Sequence, residues 1–495
     1  MLIPFRAMFR MISSKTTILS LFFVLGITEI LAKSTPKVSN FSQVSRYSKH
    51  SFRKTPLNSL PEIREILAKS TPKHQDSSQV SRYSKHVSRK TYLNSLPEIK
   101  EILAKSTIKD EDIPQIIKNA TVKFNILFTK FIKDDLKPEE NALFSPLNIY
   151  TAFSLLQLGS SSDTRIDLSN ALGIPAGGVG FTAAHKGLGK ILNDLETTNA
   201  AEVKIANSVF VQEQLKLKDT YVQMTKNYYK NEVQQVNFPK ENSEVTDIIN
   251  NWVSNNTKNR IQKLFQNRIP SDTRLLLAST LFFNATWQNQ FKQWATKDEK
   301  FNTGFNEVTV KIMMNHPEYV PYWKNDTLQF EAISLPYKDN EFSMAVILPN
   351  RNKSISDLID DLKPEHQHQL IREFQSKTEY VYYKIPRFKF AWTRSINNYV
   401  MKLGMSRIFQ VAEMNNLVNS CEPVKISEIN HAAEIEVDEQ GTIASAVTDI
   451  RAVPVSAGDF PEPITFHVDR PFLFWIFHQK TGIILFSGIV QNPLV

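Results

Sequence analysis

The sequence has one cysteine, Cys421, in 495 residues, so it can close no intrachain disulfide. Taken alone, that absence fits a reducing compartment, where thiols stay free. No identifiable base accompanies Cys421, which reads as inert rather than nucleophilic. Glycine is scarce, at 14 residues, and no Walker-type phosphate loop occurs. The run PAGGVG (residues 175–180) has no strand at the right distance before it and reads as a plain loop. There is no GxSxG elbow and no HExxH helix. His366 and His368 lack cysteine or carboxylate partners at ligand spacing, so they read as a solvated helix start. These absences argue against an enzyme. No cofactor, metal or nucleic acid is expected.

Long apolar runs are rare as well. The one that stands out is TTILSLFFVLGI, residues 16–27, behind Arg6, Arg10 and Lys15. It is too short to span a bilayer comfortably and has the shape of a signal peptide over residues 1–32, with Met8 or Met11 as alternative starts. A secreted chain with no membrane span after processing is therefore expected. Six N-x-S/T sequons, at Asn40, Asn119, Asn255, Asn284, Asn325 and Asn352, suit a secreted glycoprotein. With 41% hydrophobic residues, a large domain has core enough to do without disulfides.

The net charge of +9 is unevenly spread. Residues 1–107 carry 18 Lys and Arg against 6 Asp and Glu; the remaining residues carry 41 against 44. EILAKST begins at Glu29, Glu65 and Glu101, and SQVSRYSKH and LNSLPEI each occur twice at the same 36-residue spacing. Each repeat offers one short amphipathic helix, with Ser59 placed to cap it and Pro61 in its first turn. Two such units cannot bury a continuous core. Residues 33–107 therefore read as a mostly flexible basic tail. Its Arg, Tyr, Lys and His clusters suit a glycosaminoglycan or another polyanion, and a plain spacer remains open.

From about Ile113 the texture becomes that of a folded domain, 108–495. IIKNATVKFNILFTKFIKDD and PLNIYTAFSLLQLG carry helical periodicity, and TDIINNWVSNNTKNRIQKLF reads as one amphipathic helix. KIANSVFVQE, LLLASTLFFNATW and YVYYKIPRFKFAW read as strands, the last with an interior proline. ISLPYKDNEFSMAVILP reads as two strands around a turn at Asp339 and Asn340. The last residues, from PITFHVD onward, form a strand set with a hairpin near Lys480 and Gly482. Helices first and strands later predict an α+β fold with mostly antiparallel sheets.

Residues 437–463, VDEQGTIASAVTDIRAVPVSAGDFPEP, begin like a strand and end like a loop. One period-two phase is uniformly small: Thr442, Ala444, Ala446 and Thr448. The other, Ile443, Ser445, Val447 and Asp449, ends in a charge that is costly to bury. The small phase fits only a narrow slot.

Several short motifs in one order then give the chain a resemblance. Asn141, Ser145, Pro146 and Ile149 in NALFSPLNI, Asn207 in IANSVF, Trp287 in FFNATWQNQF, LPY ending at Tyr337 and IPRFKF from Ile385 are among them. HAAEIEVDE (residues 431–439), GTIASA and DRPFLFWI complete the set. Together they resemble the serpin family over roughly 112–495. Asn148, Ser279 and Thr280 depart from the family's usual Ser and Asn-Ala, and Ile443 stands where an acidic residue is common. The resemblance implies a serpin fold of three mostly antiparallel sheets, about eight to nine helices and an exposed reactive-centre loop, about 439–463. It also implies a monomer that inhibits a target serine protease by suicide. The protease acylates itself on the loop, whose N-terminal part then enters the main sheet as a strand. Glu439 and Gly441 take the hinge positions, with Thr442, Ala444, Ala446 and Thr448 pointing inward. Counting from Glu439 puts the reactive bond between Val455 and Ser456, preceded by Pro454, and suits an elastase-like pocket. Ala457 and Arg451 are the alternatives. A non-inhibitory member, acting as a carrier or binding protein, is the competing expectation. Such members often carry bulky, charged or proline residues in this hinge, and residues 439–453 contain no proline.

Overall fold

The computed structural model describes residues 113–230, 233–239, 242–419, 424, 426–442 and 461–495. The signal-like segment, the repeat tail, Asn40, Cys421 and residues 443–460 lie outside the described residues. The chain enters through α1 (Ile113–Asp135), β1 (Ala142–Phe144), α2 (Pro146–Gly159), α3 (Ser162–Leu172) and α4 (Gly178–Glu196). It continues through β2 (Glu202–Gln212), α5 (Asp219–Tyr229), β3 (Gln234–Val236), α6 (Asn242–Asn256) and β4 (Leu275–Thr286). Strands then dominate: β5 (Lys297–Asn302), β6 (Glu307–Met314), β7 (Glu318–Val320), β8 (Tyr322–Asn325), β9 (Phe330–Pro336) and β10 (Phe342–Pro349). After α7 (Ile355–Asp361) and α8 (Pro364–Ser376) come β11 (Glu379–Pro386), β12 (Phe388–Ser395), α9 (Asn397–Lys402) and β13 (Ile426–Val437). The set closes with β14 (Gly441–Thr442), β15 (Ile464–His467), β16 (Phe472–His478) and β17 (Ile484–Val490).

These strands form three sheets, as expected for an α+β serpin fold. The main sheet runs β12-β13-β14-β4-β2-β3. A second six-stranded sheet runs β1-β17-β16-β10-β9-β8, and a five-stranded one runs β15-β11-β6-β5 with β7 on β11. Most pairings are antiparallel, but β13 and β4 are parallel neighbours. Above their last pair the two strands part along a seam, which β14 enters antiparallel to both.

Under that seam lies α2. Ser145 caps it by accepting from the Asn148 amide at 3.1 Å, and Pro146 sits in its first turn. All 14 of its residues are buried, polar ones included. Thr151 and Ser154 satisfy their hydroxyls on the carbonyls of Leu147 and Tyr150, and Gln157 donates to Ser169. On the opposite face, Val245, Ile249 and Val253 of α6 pack with Phe210, Leu276, Ala278 and Ala432 of the sheet. The main sheet is thus covered on both sides.

Three local expectations need correction. The helix expected over residues 246–265 ends at Asn256. Lys258 and Asn259 take φ of 51° and 63°, and Asn250 accepts from the Leu264 and Phe265 amides, which holds the following segment extended. YVYYKIPRFKFAW is two strands, not one. Pro386 cannot donate to a ladder, and the chain crosses there from the five-stranded sheet (β11) to the main sheet (β12). PAGGVG is only half loop, since Gly178 begins α4. Among the described residues no helix is long and apolar enough to cross a membrane.

Candidate functional site: the loop hinge and the seam of the main sheet

β13 and β4 pair from Ile426 and Leu275 up to Ala432 and Thr280. Above that level β14 stands between them, with Thr442 opposite Val437 on one side and Ala285 on the other. The exposed loop therefore does not begin at Glu439. Glu439 and Thr442 are 4% and 2% exposed, and Gly441 is buried.

The turn that delivers β14 is built by Asp438. Its carboxylate accepts from the amides of Gln440 and Gly441 at 2.8 and 3.2 Å, an Asx-type turn. Gly441 is required by proximity: a Cβ there would lie 2.1 Å from the Ala285 carbonyl oxygen. The segment after β4 grips the same turn. The Trp287 amide donates to the Gln440 carbonyl at 2.8 Å, and the Phe291 amide to that of Glu439 at 3.0 Å. The Trp287 indole donates to the Asp438 carbonyl at 2.8 Å.

Glu439 is a buried carboxylate with two partners. The Thr296 hydroxyl donates to it at 2.6 Å, and the Arg387 guanidinium lies 3.5 Å away. A buried charge needs such pairing. Tyr337 stacks on Trp287 with centroids 4.5 Å apart and shares a 2.6 Å hydrogen bond with the Thr442 hydroxyl. Burial pushes the Tyr337 hydroxyl well above the ordinary tyrosine value, and the hydrogen bond to Thr442 opposes it. The phenol stays neutral and keeps its proton.

Deeper along the seam lies a polar layer. His431 Nε2 accepts from the Ser145 amide at 3.1 Å, so the ring proton belongs on Nδ1. Burial holds this imidazole down at about 3. Asn207 donates to Asn148 at 2.6 Å. Ser279 stands opposite both His431 and Asn207 in register, but its hydroxyl makes no hydrogen bond among the described residues. Thr280 points to the other face, also without a hydrogen-bond partner among the described residues. At the positions that depart from the family pattern, Asn148 rather than residue 279 carries the amide.

Of the expected site residues, the structure places Glu439, Gly441 and Thr442 together at the top of the seam. Ala444, Ala446, Thr448, Arg451, Val455, Ser456 and Ala457 lie outside the described residues. Asn119, Asn255 and Asn352 are exposed, whereas Asn284 and Asn325 are half-buried in β4 and β8. Sequence reasoning missed Thr296, Arg387 and Asp438. Only the last has a local signal, a D-x-x-G spacing before a strand.

The sequence pattern of the family described as Serpin (serine protease inhibitor) matches residues 119–493. Serpin-Z1B of Triticum aestivum is 33% identical over 375 residues, 72% of this chain and 90% of that protein. Iripin-2 of Ixodes ricinus is 30% identical over 359 residues, 72% of this chain and 88% of that protein. The fold matches human glycosylated kallistatin with a TM-score of 0.69 at 23% identity, covering 77% of this chain and 99% of that one. The chain belongs to the serpin family.

Proposed function

We propose that this serpin is a secreted inhibitor of an elastase-like serine protease and works as a suicide substrate. The observation that carries the reading is β14. Its two residues already occupy the seam between β13 and β4, with Thr442 buried. Extending that antiparallel register brings Ala444 opposite Phe283 and Ala446 opposite Leu281, on the inward phase of Thr442. Small side chains suit that face, because a packed interior rejects added volume.

In this reading the protease serine attacks the Val455 carbonyl, the bond to Ser456 breaks, and the new amine leaves with a proton. Residues 443–455 then become the missing strand, carrying the acylated protease with them before water can release it. Pro454 and Val455 suit a small apolar primary pocket. Cleavage after Arg451 would leave a shorter arm and favour turnover over trapping. The apolar run at residues 16–27 and the exposed sequons support secretion, and the basic repeats support a polyanion partner for the tail.

The test is to mix the full chain with an elastase-like protease and, separately, with trypsin. The expected result is a complex with the former that survives denaturing electrophoresis and a released peptide beginning at Ser456. Cleavage without any complex would replace this reading with a non-inhibitory one.

A further inference from the structure

Asn284-Ala285-Thr286 is a sequon set inside β4. Asn284 lies on the outward phase of that strand. Leu276 and Ala278, on the same phase, pack with α6, and Phe282 has the Lys258 ammonium 5.6 Å from its ring centre. Asn284 is the next outward position and is half-buried, as is Thr286. The face is open at this level: Glu202, opposite Asn284 in register, and Lys258 have side chains 45% and 56% exposed. The Asn284 amide makes no hydrogen bond among the described residues, which leaves its nitrogen free to carry a sugar.

The same residue ends an open stretch of strand edge. β4 pairs with β13 only up to Thr280 and with β14 only from Ala285. Residues 281–284 pair with β2 on one side and with no described strand on the other. An unpaired edge recruits any extended chain, its own or a foreign one. The two arrive by different routes. This chain's loop is anchored in the sheet at Thr442 and enters in the plane, from its attached end. A free strand must come over a face. α2 closes the inner face and α6 the lower outer face, so its way in runs over Phe282 and Asn284.

We propose that Asn284 carries an N-linked glycan in the secreted protein, and that this sugar guards the open edge of β4 against strands from other molecules while the chain's own loop stays free to enter. This rests on the secreted, inhibitory reading above. Glycan transfer acts on the extended chain in the secretory route, before β4 forms, so the strand does not protect the sequon. A bulky, hydrated group on the outward phase stands over the mouth of the seam and not in its plane. The neighbours Phe283 and Ala285 are buried on the other phase, so the sugar displaces no core side chain.

The experiment uses the full chain secreted from a eukaryotic cell line and the same chain made without sugar in bacteria. Mass analysis of peptides freed by peptide N-glycosidase in heavy-oxygen water reads occupancy at each sequon. Uptake of a synthetic peptide with the sequence of residues 443–455 is then followed on native gels. Asn284 is expected to be occupied. Asn284→Gln should take up the peptide roughly tenfold faster than secreted wild type, the low end of the about one to three decades over which association rates respond to changes at a docking surface. Thr286→Val, which removes the sequon but keeps the asparagine, should do the same, and Asn352→Gln, in the turn after β10, should not. Made in bacteria, wild type and both β4 variants should share one rate, which assigns the effect to the sugar. Protease trapping by the tethered loop should be equally fast with and without sugar; slower trapping by the glycosylated chain would overturn the selectivity. A bare Asn284 beside sugar on Asn119, Asn255 or Asn352, or equal uptake by secreted wild type and both variants, would overturn the guard while leaving secretion and inhibition intact. Sugar on no sequon would overturn secretion with it. A peptide that enters none of the proteins, the bacterial ones included, would overturn the guard and the inhibitory reading together.

Discussion

Tyr337 and Thr442 share a 2.6 Å hydrogen bond between two buried hydroxyls, 105 residues apart in sequence. The bond joins Tyr337, just after β9, to the second residue of β14. It makes the top of the seam an occupied site that holds a particular side chain. Tyr337→Phe removes the phenol and leaves the Thr442 hydroxyl buried without its partner, at a cost of roughly 1 kcal/mol. The amides of β14 should then exchange with deuterium about fivefold faster, the population change that energy implies. Unchanged exchange would show that the turn alone holds β14.

Gly441→Ala should act more strongly. Its Cβ would meet the Ala285 carbonyl oxygen at 2.1 Å, a backbone atom that cannot step aside. β14 is expected to leave the sheet, exposing the hinge to proteases that do not cut it in wild type. Limited proteolysis with mapping of the cut sites checks this; a protected hinge would contradict it.

Ala446→Lys places an ammonium on the phase that points inward on insertion. Burying an unpaired charge costs several kcal/mol, so strand addition slows and deacylation wins. The variant should be cut at the same bond as wild type, with product accumulating and no stable complex. A complex in undiminished yield would mean that residue 446 lies on the other phase.

Acid should destabilise the native state through two buried histidines. Burial holds both His431 and His185 down at about 3, with the nearby Arg165 adding to the effect at His185. In the unfolded chain each titrates near 6.5. The unfolded state therefore binds more protons below that value. Stability is fully present above about pH 6.5 and is lost as pH falls toward 3. Thermal unfolding followed across this range should show a falling midpoint, and His431→Gln should remove roughly one proton from the slope. A flat profile in wild type would refute the assignment.

Val455→Arg tests the reactive bond. It should transfer inhibition from elastase-like to trypsin-like proteases, measured as stable complex with each. Retention of the original preference would shift the bond to Ala457 or Arg451.

Much of the fold is legible in the sequence. The buried helix of residues 146–159 shows in its Ser-Pro start and apolar run, and β4 in its mainly apolar texture. Of the small phase from Thr442 to Thr448, only Thr442 lies among the described residues, and it is buried. What remained hidden depends on long-range placement. Nothing local marks Arg387 or Thr296 as partners of Glu439, because the three meet only when β5, β11 and β13 come together. The helical period running through Asn256 into Arg260 continues in sequence, yet Lys258 and Asn259 break it. Ser279 departs from the family's usual Asn, and nothing local in the sequence shows that Asn148 accepts from Asn207 beside it.

In the inhibitory reading the seam between β13 and β4 accepts the loop as a strand. The most direct measurement is the melting temperature of the full chain before and after a single cleavage within residues 451–457. A marked rise on cleavage is expected, because the main sheet gains a strand and its hydrogen bonds. An unchanged or lower melting temperature in the cleaved chain would contradict it.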